Sequence, residues 1–189
     1  STPIDFKGSQ VDGIPTDFDR DHEGHGGWRA EQIRDNIYAW LEAQDGPSND
    51  EPVDMILLHI GTNDISQSGD GSAATATEIG EILDNIDAYE TAYSTTIMVF
   101  LARIINRTDG NVAETTALNG LIQTLADNRI AAGDDILVVD MESALSYPAD
   151  MADSVHPNDS GYGKMADTWA SALLAYLPTI CSSDEPFVY

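Results

Sequence analysis

Apolar and polar positions along the chain follow two alternating rhythms. Trp28 to Gln44 places Ile33, Ile37, Trp40 and Leu41 on one helical face, and Gly46-Pro47 ends it. Val53 to Ile60 is apolar almost without interruption, which predicts a strand covered by helices on both faces. The same change of rhythm then repeats. A helix is expected from Thr77 to Tyr93 on Ile79, Ile82, Leu83, Ile86 and Tyr89, followed by a buried strand from Thr96 to Ala102. Asn111 to Ala132 reads as a helix on Leu118, Leu121, Ile122 and Leu125 with Gly133 as its cap. Ile136 to Val139 is the last strand, ending in Asp140, and Gly163 to Leu177 the last helix, closed by Pro178. Pro3 to Gly8 is a further short strand candidate, while Val11 to Gly27 and Ile65 to Ala76 carry the Asp, Gly, Ser and Pro of loops. Strands that alternate with helices predict a parallel α/β sandwich. A length of 189 residues suits one domain, 1–189, with a sizeable core.

Charge changes the picture more than composition does. The 33 acidic side chains against 8 basic ones give a formal charge of −25, and Lys7 and Lys164 are the only lysines. Nucleic acid and anionic membranes are therefore excluded as natural partners. No apolar run approaches the roughly 18 residues of a membrane span. Self-repulsion at this density destabilises a fold in dilute buffer and is screened in about 1 M salt, so the sequence predicts a salt-adapted protein. A secreted protein of a high-salt environment is the expected setting, with a cytoplasmic one as the alternative. Cys181 is the only cysteine, so no intrachain disulfide forms.

Two blocks carry candidate chemistry. Asp153-Ser154-Val155-His156-Pro157-Asn158 sets a carboxylate three residues before a histidine, a spacing at which a loop lets Asp153 orient the imidazole of His156. Gly61-Thr62-Asn63-Asp64 follows the Val53–Ile60 run, which places the Asn63 amide at the carboxyl end of a buried strand, where open α/β sheets bind ligands. Such an amide can donate to an oxyanion. Alone, an Asp-x-x-His also arises by chance, and Gly61-Thr62-Asn63-Asp64 is also explained as a strand ending in a polar turn. His59 reads as a hydrogen-bonded core histidine, and Arg103 as the partner of surface carboxylates. Asp17, Asp19 and Asp21 resemble the opening of a calcium loop, but His22 and Trp28 stand where an EF-hand needs Gly and Glu, which excludes an EF-hand and leaves some other calcium contact only as an alternative to the expected absence of a metal.

Together with Glu23-Gly24-His25-Gly26-Gly27-Trp28, these blocks resemble those of the SGNH (GDSL-type) hydrolases, and Asp17 to Ile33 is most similar to their acetylxylan-esterase branch, carbohydrate esterase family 3. The resemblance covers nearly the whole chain. It implies a three-layer α/β/α sandwich, flavodoxin-like with strand order 2-1-3-4-5, in which Pro3–Gly8 is the second strand. The family's nucleophilic serine lies in a Gly-Asp-Ser block after its first strand, and this sequence has no Gly-Asp-Ser. The expectation is thus a domain that lacks its N-terminal strand, completed by a separate N-terminal fragment, by a second copy in a homodimer, or by direct pairing of the remaining strands. By resemblance, His156 and Asp153 are catalytic, and the Asn63 side chain and the Gly27 backbone N–H form the oxyanion hole. Ser9, after Gly8, is the weaker candidate for nucleophile, and Ser154 is structural. Trp28 either stacks on a sugar ring or, as its place at a helix start favours, packs on the core. The implied activity is hydrolysis of short acyl esters, acetyl in particular, on carbohydrate such as xylan, with no cofactor or metal. The alternatives are a lipase or thioesterase of the same superfamily, and a catalytically silent carbohydrate-binding or scaffold protein.

Overall fold

In the strand Met98–Arg103, Val99 and Leu101 point to one side of the sheet and Phe100 and Ala102 to the other, and all four are buried. A strand can bury both faces only between two layers. The first layer holds α1 (Ala30–Gln44), α2 (Gly71–Tyr93) and α3 (Val112–Ala132) against Val99 and Leu101. The second holds α4 (Asp159–Cys181) against Phe100, Ala102 and Val139, with Tyr176 edge-on to the Phe100 ring. Between them, β3 (Met55–Leu58), β4 (Met98–Arg103) and β5 (Ile136–Asp140) pair in parallel in the order β3-β4-β5. A small ribbon, β1 (Gln10–Val11) with β2 (Asp21–His22), is antiparallel and separate. The structure is a computed structural model that describes residues 4–11, 19–44, 52–69 and 71–181. The three-layer α/β/α sandwich with a parallel sheet is the expected class, and its strands are consecutive as in the 3-4-5 half of the expected order.

Several expectations need correction. Ile4 to Gly8 is not a strand, and Ile4 and Phe6 are exposed. The ladder forms two residues later instead, where Gln10 and Val11 pair with His22 and Asp21. Strand β3 is shorter than Val53–Ile60, because its pairing with β4 runs only from Met55 to Leu58, and it is not covered on both faces. Leu58 is buried beneath the helices of the first layer, whereas Leu57 is exposed because α4 lies over β4 and β5. On α3, Leu121 faces solvent and Asn119 takes the core position. Its amide accepts from Ile104 N at 2.7 Å and donates to Ile104 O at 2.8 Å, satisfying a backbone pair just beyond β4. Helix α2 begins at Gly71 rather than Thr77, because Glu114 of α3 accepts from Ser72 N at 2.6 Å and caps it from across the fold. Helix α4 begins at Asp159 rather than Gly163 and runs through Pro178 to Cys181. The Asn158 side chain accepts from Gly161 N at its start, and a proline removes only one of the helix's bonds.

Acidic side chains crowd the amino end of the sheet. Asp87, Glu90, Asp134 and Asp135 surround a small cavity, and burial together with neighbouring carboxylates holds Glu90 above its ordinary pKa. Arg129 answers part of this charge through Asp84, Asp87 and Asp134. The melting temperature should therefore climb steadily from dilute buffer to about 1 M NaCl. Each kcal/mol of relieved repulsion shifts it by about 2–4 °C in a domain of this size. A melting curve followed by circular dichroism that does not move with salt would remove salt adaptation from the account.

Candidate active site

The carboxyl ends of β3, β4 and β5 carry every element of the candidate site except the loop before α1, and that loop is pinned to them. After β3 the chain turns at Gly61, whose φ of +124° and whose approach to Leu118, 2.8 Å from where a Cβ would stand, leave room only for glycine. This turn delivers two neighbouring side chains to one place. Asp64, 1% exposed, accepts from Ala30 N at 2.9 Å and so caps the first turn of α1. Asn63 donates from Nδ2 to the Trp28 carbonyl at 2.9 Å, while its Oδ1 accepts from Gln67 at 3.0 Å. A carbonyl can only accept, so the Asn63 nitrogen must face Trp28, and its second N–H remains a donor. Gly27, with φ of +81°, is exposed in the adjoining peptide. Asn63 and the Gly27–Trp28 backbone are thus brought together. Burial pushes the Asp64 carboxyl above the ordinary range, against the pull of the Ala30 amide.

The second half lies in the long connection after β5. Asp153 Oδ1 accepts from Val155 N and His156 N, each at 2.8 Å, and Oδ2 lies 2.8 Å from His156 Nδ1. The two amides and then the imidazole hold the Asp153 carboxyl down at about 2. One carboxylate therefore folds the turn and orients the ring. The His156 side chain is 67% exposed, leaving Nε2 open to a reactant. The loop is fixed to α4 by Asn158 N on Asp150 O at 2.9 Å and by the close approach of Gly161, where a Cβ would stand 2.3 Å from that same oxygen. The Asp150 carboxylate adds Ser146 N at 2.7 Å and Lys164 Nζ at 2.5 Å.

The segment after β4 joins the two halves. Arg107 NH1 donates to Ser66 Oγ at 2.8 Å in the turn that carries Asn63, and Thr108 N donates to Ser154 O at 3.0 Å in the turn that carries His156. Arg103 instead pairs with Asp140 and Glu142, as the sequence led us to expect. His59 accepts from Ile105 N at 3.3 Å, and burial of its ring lowers its pKa, so it is a neutral structural histidine. Ser9 is engaged by Glu23: its Oγ donates to Glu23 Oε1 at 2.7 Å, the oxygen that also meets His25 Nε2 at 2.9 Å. That order sets the carboxylate between hydroxyl and imidazole, so His25 cannot draw the Ser9 proton. Trp28 stacks on His25 at 4.0 Å between centroids, with Trp40 beyond, and it packs against the core. Of the acidic trio, Asp17 lies outside the described residues, and Asp19 accepts from Phe6 N and Asp21 N through its two oxygens. Sequence reasoning missed Asp64 as a helix cap and Arg107 as a bridge, because both act on partners distant in the chain.

A family model described as the GDSL-like Lipase/Acylhydrolase family matches residues 8–164. A "Multidomain esterase" from Ruminococcus flavefaciens is 28% identical over 179 residues, which cover 89% of this chain and 22% of that protein. The chain thus spans about a fifth of that curated relative. Among solved structures, an acetyl esterase mutant with acetate ion aligns with TM-score 0.77 and 26% identity, covering 93% of this chain and 83% of the other. A family 3 carbohydrate esterase from Clostridium thermocellum aligns with TM-score 0.76 and 27% identity, covering 94% and 80% respectively.

Proposed function

Because the chain belongs to the GDSL-like lipase/acylhydrolase family, we propose that it hydrolyses short-chain acyl esters, acetyl esters of carbohydrate such as xylan in particular. His156 is the general base, Asp153 its orienting carboxylate, and the Asn63 amide and Gly27 N–H the oxyanion donors. The observation that carries this reading is the Asp153 Oδ2 to His156 Nδ1 contact of 2.8 Å, made by a carboxylate whose other oxygen closes the turn. With Nδ1–H held by Asp153, the ring presents a basic Nε2. That nitrogen takes a proton from the attacking hydroxyl, returns it to the leaving alcohol, and then activates the water that frees the acid. No step requires a cofactor. The carbohydrate and acetyl assignments draw on what the similar esterases are called.

One observation favours a second reading. Among the described residues, no serine hydroxyl is hydrogen-bonded to His156, whose side-chain bond is to Asp153. A silent carbohydrate-binding or scaffold protein with this fold has the same geometry.

Incubation with p-nitrophenyl acetate and p-nitrophenyl hexanoate, followed by a fluorophosphonate label and peptide mapping, separates the readings. An acetyl esterase turns over acetate faster than hexanoate and carries the label on a single serine, which identifies the nucleophile. Faster turnover of hexanoate selects a lipase or thioesterase. Neither turnover nor label selects the silent protein.

A further inference from the structure

We propose that Arg107 is a positioning residue of this site: its buried guanidinium sets the Asn63 turn against the strand exit that holds the His156 loop. The inference rests on the esterase reading and adds a residue to it. Arg107 is 5% exposed, whereas Arg29, Arg34, Arg103 and Arg129 are 31%, 30%, 29% and 16% exposed. A cation is buried at a cost unless it is paired. Nε and NH2 of Arg107 fork onto the two oxygens of Asp109 at 2.7 and 2.6 Å, which supplies that pairing inside the same segment.

The third nitrogen leaves the segment. NH1 donates to Ser66 Oγ at 2.8 Å and, less closely, to Thr62 O at 3.4 Å. Ser66 Oγ itself donates to Thr62 O at 3.0 Å, so the three groups clamp the turn on either side of Asn63. One residue further on, Thr108 N donates to Ser154 O at 3.0 Å, inside the turn that Asp153 closes around His156. The segment is itself anchored, with Asn106 N donating to Tyr147 Oη and Asn106 Nδ2 to Glu142, at 2.7 and 2.8 Å. Arg107 thus has the base on one side of it and the oxyanion amide on the other. A lysine could hold Asp109 or Ser66, but its single ammonium cannot do both in a fixed plane.

The test compares Arg107→Lys with Arg129→Lys, which loosens a charge cluster at the opposite end of the sheet, and with the gentler Ser66→Ala. Each variant is assayed below its own melting temperature. Misplacement of about 1 Å costs up to about 10²-fold in rate, so Arg107→Lys should lose between about 10- and 100-fold in kcat with KM little changed. Ser66→Ala should follow in the same direction, and Arg129→Lys should lower only the melting temperature. Amide NMR spectra give a readout that needs no turnover: the Asn63 side-chain pair and the His156 backbone signal should both shift in Arg107→Lys and stay fixed in Arg129→Lys. An Arg107→Lys protein that melts earlier yet keeps its kcat, or one whose Asn63 and His156 signals do not move, overturns the proposal. Absence of ester hydrolysis by the unmodified chain defeats the esterase reading instead, and the NMR comparison then decides the role of Arg107 alone.

Discussion

Asp153→Asn lowers kcat on p-nitrophenyl acetate by about 10⁴-fold while leaving the circular dichroism spectrum unchanged. The substitution keeps the turn, because an amide oxygen can still accept from Val155 N and His156 N as Oδ1 does now. It reverses the second contact. The atom beside His156 Nδ1 becomes an N–H donor, so Nδ1 must accept and the ring proton moves to Nε2, where it blocks the general base. A loss smaller than about tenfold would make the pair a loop staple and not a catalytic one. The pH profile follows from the same contacts. Asp153 is held at about 2, below its ordinary value, by the two amides first and the imidazole next. Its contribution to the folded loop is therefore complete above the unfolded value of about 4 and is lost as pH falls from there through about 2. Above that window the carboxylate stays ionised, so Asp153 itself adds no proton to the acid limb of kcat/KM.

Asn63→Ala should reduce kcat by about 10²- to 10³-fold with little change in KM, the signature of a donor used in the transition state and not in ground-state binding. One N–H of the amide is taken by Trp28 O, which orients the group, and the other is left to donate. Alanine removes both. A rise in KM at unchanged kcat would instead assign Asn63 to substrate binding, and the oxyanion role would fall.

What could be read from the chain depended on how local its causes were. The helices on Ile33 and Ile37, on Ile79 and Ile82, and on Leu118 and Ile122 were legible because periodicity is a property of adjacent turns. So was the Asp153–His156 pair, since three residues of separation bring the groups within reach in a turn. The start of α2 was not, because its cap comes from Glu114, 42 residues away. Ile4, Phe6 and Leu57 look like core residues by composition and are exposed by topology, since burial needs a covering layer that hydropathy cannot locate. Arg107 was hidden differently. Among eight basic residues in a strongly acidic chain, any arginine is naturally read as a surface counter-charge, and only its 5% exposure distinguishes this one.

Asn63 and Asp64 are consecutive, yet one orients the amide offered to the oxyanion and the other fastens the first turn of α1. An engineer who exchanges the 23–28 loop to alter specificity would have to transplant residues 61–64 with it. A graft of either piece alone would leave a helix without its cap or an amide without its guide, so the two segments form a single interchangeable module.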